Sequence, residues 1–183
     1  MALPELNASH NRKGFDCAND LINKFLRETA RRAGKHNLSR SFVLEGECAG
    51  DIAGFYTLSD TQVSIPIDHK FYKNYPHPLP AVLLARMGVD RHYQGQGYAK
   101  ILVIDAMQRT LHINRQLGVV GLFVDAKDDA LVAFYQKVGF IFLQQEIQNP
   151  ESSSYLSNSL RNHTLDRRGN LAVVSALHDY AAR

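Results

Sequence analysis

Apolar residues recur at intervals of three and four between Asp20 and Ala33, so Ile22, Phe25, Leu26, Thr29 and Ala33 share one face of a predicted helix. Asp16 or Asn19 caps its start and Gly34 closes it. The period then changes. Ser41–Leu44, Ile52–Leu58 and Gln62–Ile67 read as short strands, with Glu45–Asp51 as the first turn. Asp68–Pro80 carries three prolines and three phenylalanine or tyrosine rings, the composition of an irregular surface loop. Ala81–Val89 is apolar without alternation, a strand buried on both faces. A helix is predicted from Gly95 to Leu117, with Ala99, Leu102, Val103, Ala106 and Thr110 facing inward. Val119–Asp125 is a second buried strand. Asp128 caps a helix through Val138, Gly139 ends it, and Phe140–Leu143 begins another strand.

A strand, a long helix and a strand in succession imply a right-handed crossover between parallel neighbours. The pattern places one domain at 15–143, preceded by a loose, polar N-terminus at 1–14. Residues 144–183 form an unassigned tail. Gln144–Asn162 is polar and serine-rich, Leu165–Arg168 is charged, and Asn170–Leu177 reads as a strand or as a short helix through Tyr180.

At 183 residues and 45% hydrophobic content, the chain suits one domain with a sizeable core. No apolar run approaches the roughly 18 residues of a membrane helix, and the N-terminus has no secretory h-region. A cytoplasmic protein without membrane attachment is expected. A net charge of +3 permits a polyanionic partner without requiring one. Cys17 and Cys48 read as structural thiols, since no CxxC pair accompanies them. The eight histidines, His69 and His77 among them, show no metal-ligand spacing, so no metal site is expected.

The chemistry concentrates at Gln94-Gly95-Gln96-Gly97-Tyr98-Ala99, between a buried strand and a long helix. It is not a P-loop, which needs a Lys-Ser/Thr pair. It is not a dinucleotide fingerprint either, because Lys100 fills the place of the third glycine. The first turn of a helix offers unpaired N–H groups and a favourable dipole to an anion. Glycines there either seat a phosphate or form a flexible joint.

The glycine turn, followed by Asp128-Asp-Ala-Leu-Val-Ala-Phe134-Tyr135-Gln-Lys-Val-Gly139-Phe140, resembles the GNAT superfamily of acyl-CoA-dependent N-acyltransferases. The resemblance implies a GNAT fold: a mixed central sheet with splayed parallel strands, flanked by helices. It implies that Gln94, Gly95, Gln96, Gly97, Tyr98 and Ala99 hold the pyrophosphate of acetyl-CoA. Backbone groups of Met87 and Val89 would meet the pantetheine arm and polarise the thioester carbonyl, with Gly88 at a bulge. Asp128 matches a coenzyme-contacting asparagine, and it is equally placed to cap a helix. Tyr135 matches the acid that protonates the leaving thiolate, and it is also a packing aromatic. Arg86, a charge in an apolar strand, reaches either the cleft or an ion pair.

A narrower resemblance joins Phe15-Asp-Cys-Ala-Asn-Asp-Leu-Ile-Asn-Lys-Phe25-Leu26, Ser39–Val43, Gly54–Ser59, Ala85–Asp90 and Val124–Asp128 to one GNAT branch. That branch is the acetyltransferase toxins of toxin–antitoxin modules, which acetylate the amino group of aminoacyl-tRNA. It implies a ribbon–helix–helix antitoxin and a homodimer. Ala18 stands where glycine is usual, and Gly88 where alanine is common. The fold also needs a late strand beside the central pair, which Asn170–Leu177 can supply. Lys24, Arg27, Arg31 and Lys35 recur on the polar face of the first helix and form a candidate phosphate-binding stripe, or a solvated face balanced in part by Glu28.

Acyl transfer needs a neutral amine. An α-amine with pKa near 7.7–8.0 is partly neutral at physiological pH, whereas lysine near 10.4 is not. No Glu or His base stands near either motif, which suits an aminoacyl ester. The alternatives are a GNAT enzyme of a small or protein amine, and a non-catalytic member that binds only CoA or its antitoxin.

Overall fold

The first helix starts at Asn19, whose side chain accepts the N–H groups of Leu21 at 3.1 Å and Ile22 at 3.2 Å. The structure, a computed structural model, describes residues 2–63, 78–142 and 171–174. Helix α1 (Asp20–Lys24) passes through a π-helical turn (Phe25–Thr29) into α2 (Ala30–Lys35). The wider turn rotates the helix beyond it, so the buried face is Leu26 and Ala30, and the expected Thr29 and Ala33 are only half-buried. A strict 3.6 period could not anticipate that shift.

Strand β1 (Arg40–Glu45) pairs antiparallel with β2 (Ile52–Val63), and β2 pairs antiparallel with β3 (Leu79–Val89). The two strands expected at Ile52–Leu58 and Gln62–Ile67 are one strand as far as Val63. Ser59, Asp60, Thr61 and Gln62 continue the ladder opposite Leu83, Val82, Ala81 and Pro80, so polarity there marks a solvated strand end rather than a turn. The rest of the expected third strand, and all but the end of the Asp68–Pro80 loop with His69 and His77, lie outside the described residues.

After β3, a short 3-10 turn (Arg91–Tyr93) leads to α3 (Tyr98–Leu117), β4 (Leu122–Asp125), α4 (Asp129–Lys137) and β5 (Ile141–Phe142). Helix α3 begins three residues later than expected, because Gly95 and Gly97 sit at φ +75° and +84°, outside the right-handed helical region. A final strand, β6 (Leu171–Val174), falls within Asn170–Leu177 and inserts between β4 and β5, giving the order β1-β2-β3-β4-β6-β5. The remaining tail lies outside the described residues.

Two packed layers flank the sheet. Phe42, Tyr56, Leu58 and Leu84 face α3 and α4, packing with Leu102, Val103, Ala106 and Tyr135. Their neighbours Val43 and Phe55 point the other way, onto Phe15, Leu26 and Ala30.

The N-terminus is not loose. Leu6 N–H donates to Ser41 O at 2.8 Å and Val43 N–H to Pro4 O at 3.0 Å, which covers the edge of β1. Leu3, Leu6 and His10 are buried. Asp105 on α3 accepts the N–H of Leu3 at 3.1 Å, the Nε–H of Arg109 at 2.8 Å and the hydroxyl of Tyr56. Polar composition concealed this because the anchoring contacts are backbone groups and a few spaced leucines.

Candidate active site

Strands β3 and β4 pair in parallel only at Val82 with Leu122 and Leu83 with Phe123. Beyond that point β4 continues on β6, through Val124 with Ala172 and Asp125 with Leu171, and β3 continues on β2 alone. The strands diverge toward the C-terminal end of β3, leaving a slot with a free strand edge.

The register of β2 on β3 passes from Thr57 opposite Arg86 to Leu58 opposite Leu84, so Ala85 is the extra residue. The bulge is therefore at Ala85, not at the expected Gly88. Gly88 answers a different need. A Cβ there would lie 3.1 Å from Ile22 Cγ2, 3.2 Å from Cys17 Sγ and 3.2 Å from the Phe15 ring, so its bare backbone lets the loop before α1 rest on the strand.

Asp90 N–H donates to Ala53 O at 2.9 Å, toward β2. By strand alternation, Met87 and Val89 then turn their N–H and C=O groups into the slot. Gln94 Nε2 donates to the Val89 carbonyl at 2.9 Å and reaches Cys17 O at 3.4 Å. The Gln94 side chain thus braces the turn, and Gln96 does the same by donating to His92 O at 2.9 Å.

A Cβ added at Gly95 or Gly97 would meet nothing within 4 Å. The two glycines are needed for their positive φ, and the space before them is open. Gly97 directly precedes the first turn of α3, where Lys100 N–H donates back to Gly97 O at 3.0 Å and the N–H groups of Tyr98 and Ala99 have no intrahelical acceptor. This geometry fits a pyrophosphate. Tyr98 packs beside Tyr93 with ring centroids 5.3 Å apart, and Ala99 follows it in the helix.

Tyr135 projects from α4 into the cluster that contains Met87 and Val89. Its ring lies 5.2 Å from Phe134 and 5.0 Å from Phe140. Its hydroxyl makes no hydrogen bond among the described residues, and burial pushes its pKa up to about 12. Asp128 caps α4 by accepting Leu131 N–H at 2.8 Å, the structural one of its two readings.

The basic stripe is rearranged. Arg27 Nη2 donates to Phe15 O at 3.0 Å, and the Arg27 carbonyl accepts from Arg12 Nη1 at 2.6 Å, so Arg27 is a strut. Arg31 and Lys35 line a shallow depression of about 240 Å³ with Arg12, Arg32 and Glu28. Lys24 is exposed and stands outside that depression. Arg12 has no place in the stripe expected from the sequence, because its segment reads there as a loose end.

The acetyltransferase (GNAT) family matches residues 6–140 of the chain. A tRNA-acetylating toxin of Mycobacterium tuberculosis is 31% identical over 127 residues, covering 69% of this chain and 75% of the toxin. The structure of AtaT complexed with acetyl-methionyl-tRNAfMet superposes with a TM-score of 0.73 at 29% identity, covering 81% of this chain and 91% of AtaT. A tyrosine-to-phenylalanine mutant of AtaT, bound to the C-terminus of the antitoxin AtaR and acetyl-CoA, gives 0.65 at 28% identity, covering 78% and 85%.

Proposed function

Because the chain belongs to the GNAT acetyltransferase family, we propose that it moves the acetyl group of acetyl-CoA onto the α-amino group of aminoacyl-tRNA, as the toxin of a toxin–antitoxin pair. The observation that carries the acceptor is the cationic depression of Arg12, Arg31, Arg32 and Lys35. It lies on the α1/α2 side of the sheet, opposite the layer filled by α3 and α4. A cationic face on that side of the sheet suits a polyanion better than a small cationic amine.

Acetyl-CoA supplies an activated acetyl thioester. Gly95, Gly97 and the first turn of α3 seat its pyrophosphate, and Gln94 and Gln96 hold that turn in shape. The N–H groups of Met87 and Val89 bind along the slot and stabilise charge developing on the acyl oxygen. Tyr135, kept protonated by burial, donates its proton to the departing thiolate. The α-amine of an aminoacyl ester is partly neutral at physiological pH and needs no strong base.

An antitoxin of the ribbon–helix–helix class, a homodimer and a cytoplasmic site of action complete the proposal; the likeness to AtaT bound to the C-terminus of the antitoxin AtaR supports an antitoxin partner. No helix among the described residues is long and apolar enough to cross a membrane. Incubation with labelled acetyl-CoA and total tRNA, charged or deacylated, tests the function. Label in charged tRNA alone supports it, and label confined to small amines or protein overturns it.

A further inference from the structure

Asn23 is the one buried residue of α1, 4% exposed. A polar side chain occupies the helix position closest to the sheet, and its amide is committed to the loop before the helix. Asn23 Nδ2 donates to Asp16 Oδ1 at 2.8 Å, and Asn23 Oδ1 accepts the N–H of Cys17 at 3.0 Å and its thiol at 3.2 Å. Without that amide the loop has little to keep it in place, since the next residue, Ala18, stands at φ +66°.

Asp16 and Cys17 are in turn fastened to the end of β3. Asp16 N–H donates to Asp90 Oδ2 at 2.8 Å, and Asp16 O accepts Arg91 N–H at 2.9 Å. Asp90 Oδ1 accepts His92 N–H at 3.0 Å, capping the 3-10 turn that leads to the glycines. Cys17 O faces Gln94 Nε2 at 3.4 Å, and the same amide group donates to Val89 O at 2.9 Å. Phe15 and Cys17 rest on the bare backbone of Gly88. At this level β3 pairs with β2 alone and has no strand on its slot side. The position of its edge therefore depends on the loop, and Asn23 fixes both loop residues that reach it.

Resting on the placement of the coenzyme along β3 and the glycine turn, we infer that Asn23 is a positioning residue for acetyl-CoA. It sets the loop that holds Val89 where the pantetheine arm meets it and Gln94 where the pyrophosphate turn begins. Asn23 acts through Asp16 and Cys17, not by contact with the coenzyme. An amide suits the task because one planar group gives a donor to the Asp16 carboxylate and an acceptor to Cys17 N–H. A carboxylate in its place would set two like charges against each other.

Asn23→Asp makes that exchange. It keeps the shape and the acceptor for Cys17 N–H while removing the donor to Asp16. Calorimetry at about pH 8, at a temperature where the variant is folded, is expected to show acetyl-CoA affinity roughly tenfold below wild type, the scale of one hydrogen bond. At about pH 5 the factor is expected to shrink toward one, because a proton shared between the two carboxylates remakes the bond. Asp90, Arg27 and Arg91 face the same carboxyl groups in both proteins, and His92 lies at the turn in both, so the ratio of wild type to variant is compared at each pH. A merely structural asparagine would lower the melting temperature and leave the affinity of the folded protein unchanged. That result overturns the assignment, as does a loss of affinity that is equal at both pH values. Should Asn23→Asp fail to fold, Asp90→Asn cuts the next link, because its amide nitrogen cannot accept an N–H. That variant is expected to weaken acetyl-CoA by a similar factor, and unchanged affinity overturns the assignment. A wild type that binds no acetyl-CoA overturns the coenzyme site itself instead.

Discussion

Asp90, at the end of β3, accepts the backbone N–H of Asp16 at 2.8 Å. This bond ties the strand that leads to the glycine turn to the loop that opens α1. Burial alone would raise the Asp90 pKa, but the N–H groups of Asp16 and His92 outweigh it and hold the carboxyl below its usual range. Asp16 is lowered too, first by the N–H of Ala18 and then by Asn23. Both carboxylates are stabilised as anions in the fold. Their contribution is present above the ordinary carboxylate range and fades as pH falls below about 4.

Within that loop Ala18 sits at φ +66°, the left-handed region where a Cβ is penalised. Ala18→Gly is expected to stabilise the protein by about 0.5 kcal/mol, the relieved strain being partly offset by a more flexible unfolded chain. Urea denaturation should show a higher midpoint at unchanged slope. An equal or lower midpoint contradicts strain at this residue.

Gly97 and Gly118 provide a matched comparison, at φ +84° and +69°, each with open space where a Cβ would go. Either substitution to alanine should cost about 1 kcal/mol of stability. Only Gly97→Glu, which puts a carboxylate on the phosphate seat, should abolish acetyl-CoA binding by calorimetry, whereas Gly118→Glu should leave it intact.

Tyr135→Phe should keep coenzyme affinity and lower turnover by roughly 10²–10⁴. With the folded phenol near 12, the unfolded phenol ionises first, so stability falls as pH rises from about 10 toward 12. The phenylalanine variant should lose less stability over that window. Turnover equal to wild type would reduce Tyr135 to a packing role.

The glycine turn was legible in the sequence because positive φ and a helix N-terminus impose glycine and small residues in a fixed order. Buried strands, α3 and the cap at Asp128 were legible for the same local reasons. The Ala85 bulge was not, since it depends on register against β2, and nothing in the residue itself announces it. The π-turn at Phe25–Thr29 was hidden because five ordinary helix formers carry it, and it altered which residues form the buried face. The basic stripe was half legible. Arg31 and Lys35 line the depression, Arg27 is spent on Phe15 O, and Arg12 joins from a segment whose anchoring is mostly backbone.

Charge reversal at Arg31, Arg32 and Lys35 should therefore disable the acceptor face without disturbing the core. Activity on charged tRNA should collapse, acetyl-CoA affinity should persist, and the salt slope of tRNA binding should become shallower by roughly two units. Arg27→Ala, by contrast, should chiefly lower thermal stability. Full activity of the triple variant would move the RNA elsewhere.

Acetylation of an α-amine carried on tRNA leaves a defined added mass on the aminoacyl ester. The most direct measurement is mass spectrometry of the 3′-terminal aminoacyl-adenosine, released by nuclease from charged tRNA after incubation with the enzyme and acetyl-CoA. One added acetyl group on the aminoacyl moiety, absent from the Tyr135→Phe and Gly97→Glu reactions, is the predicted result. Unmodified aminoacyl-adenosine from an enzyme that binds acetyl-CoA normally would contradict it.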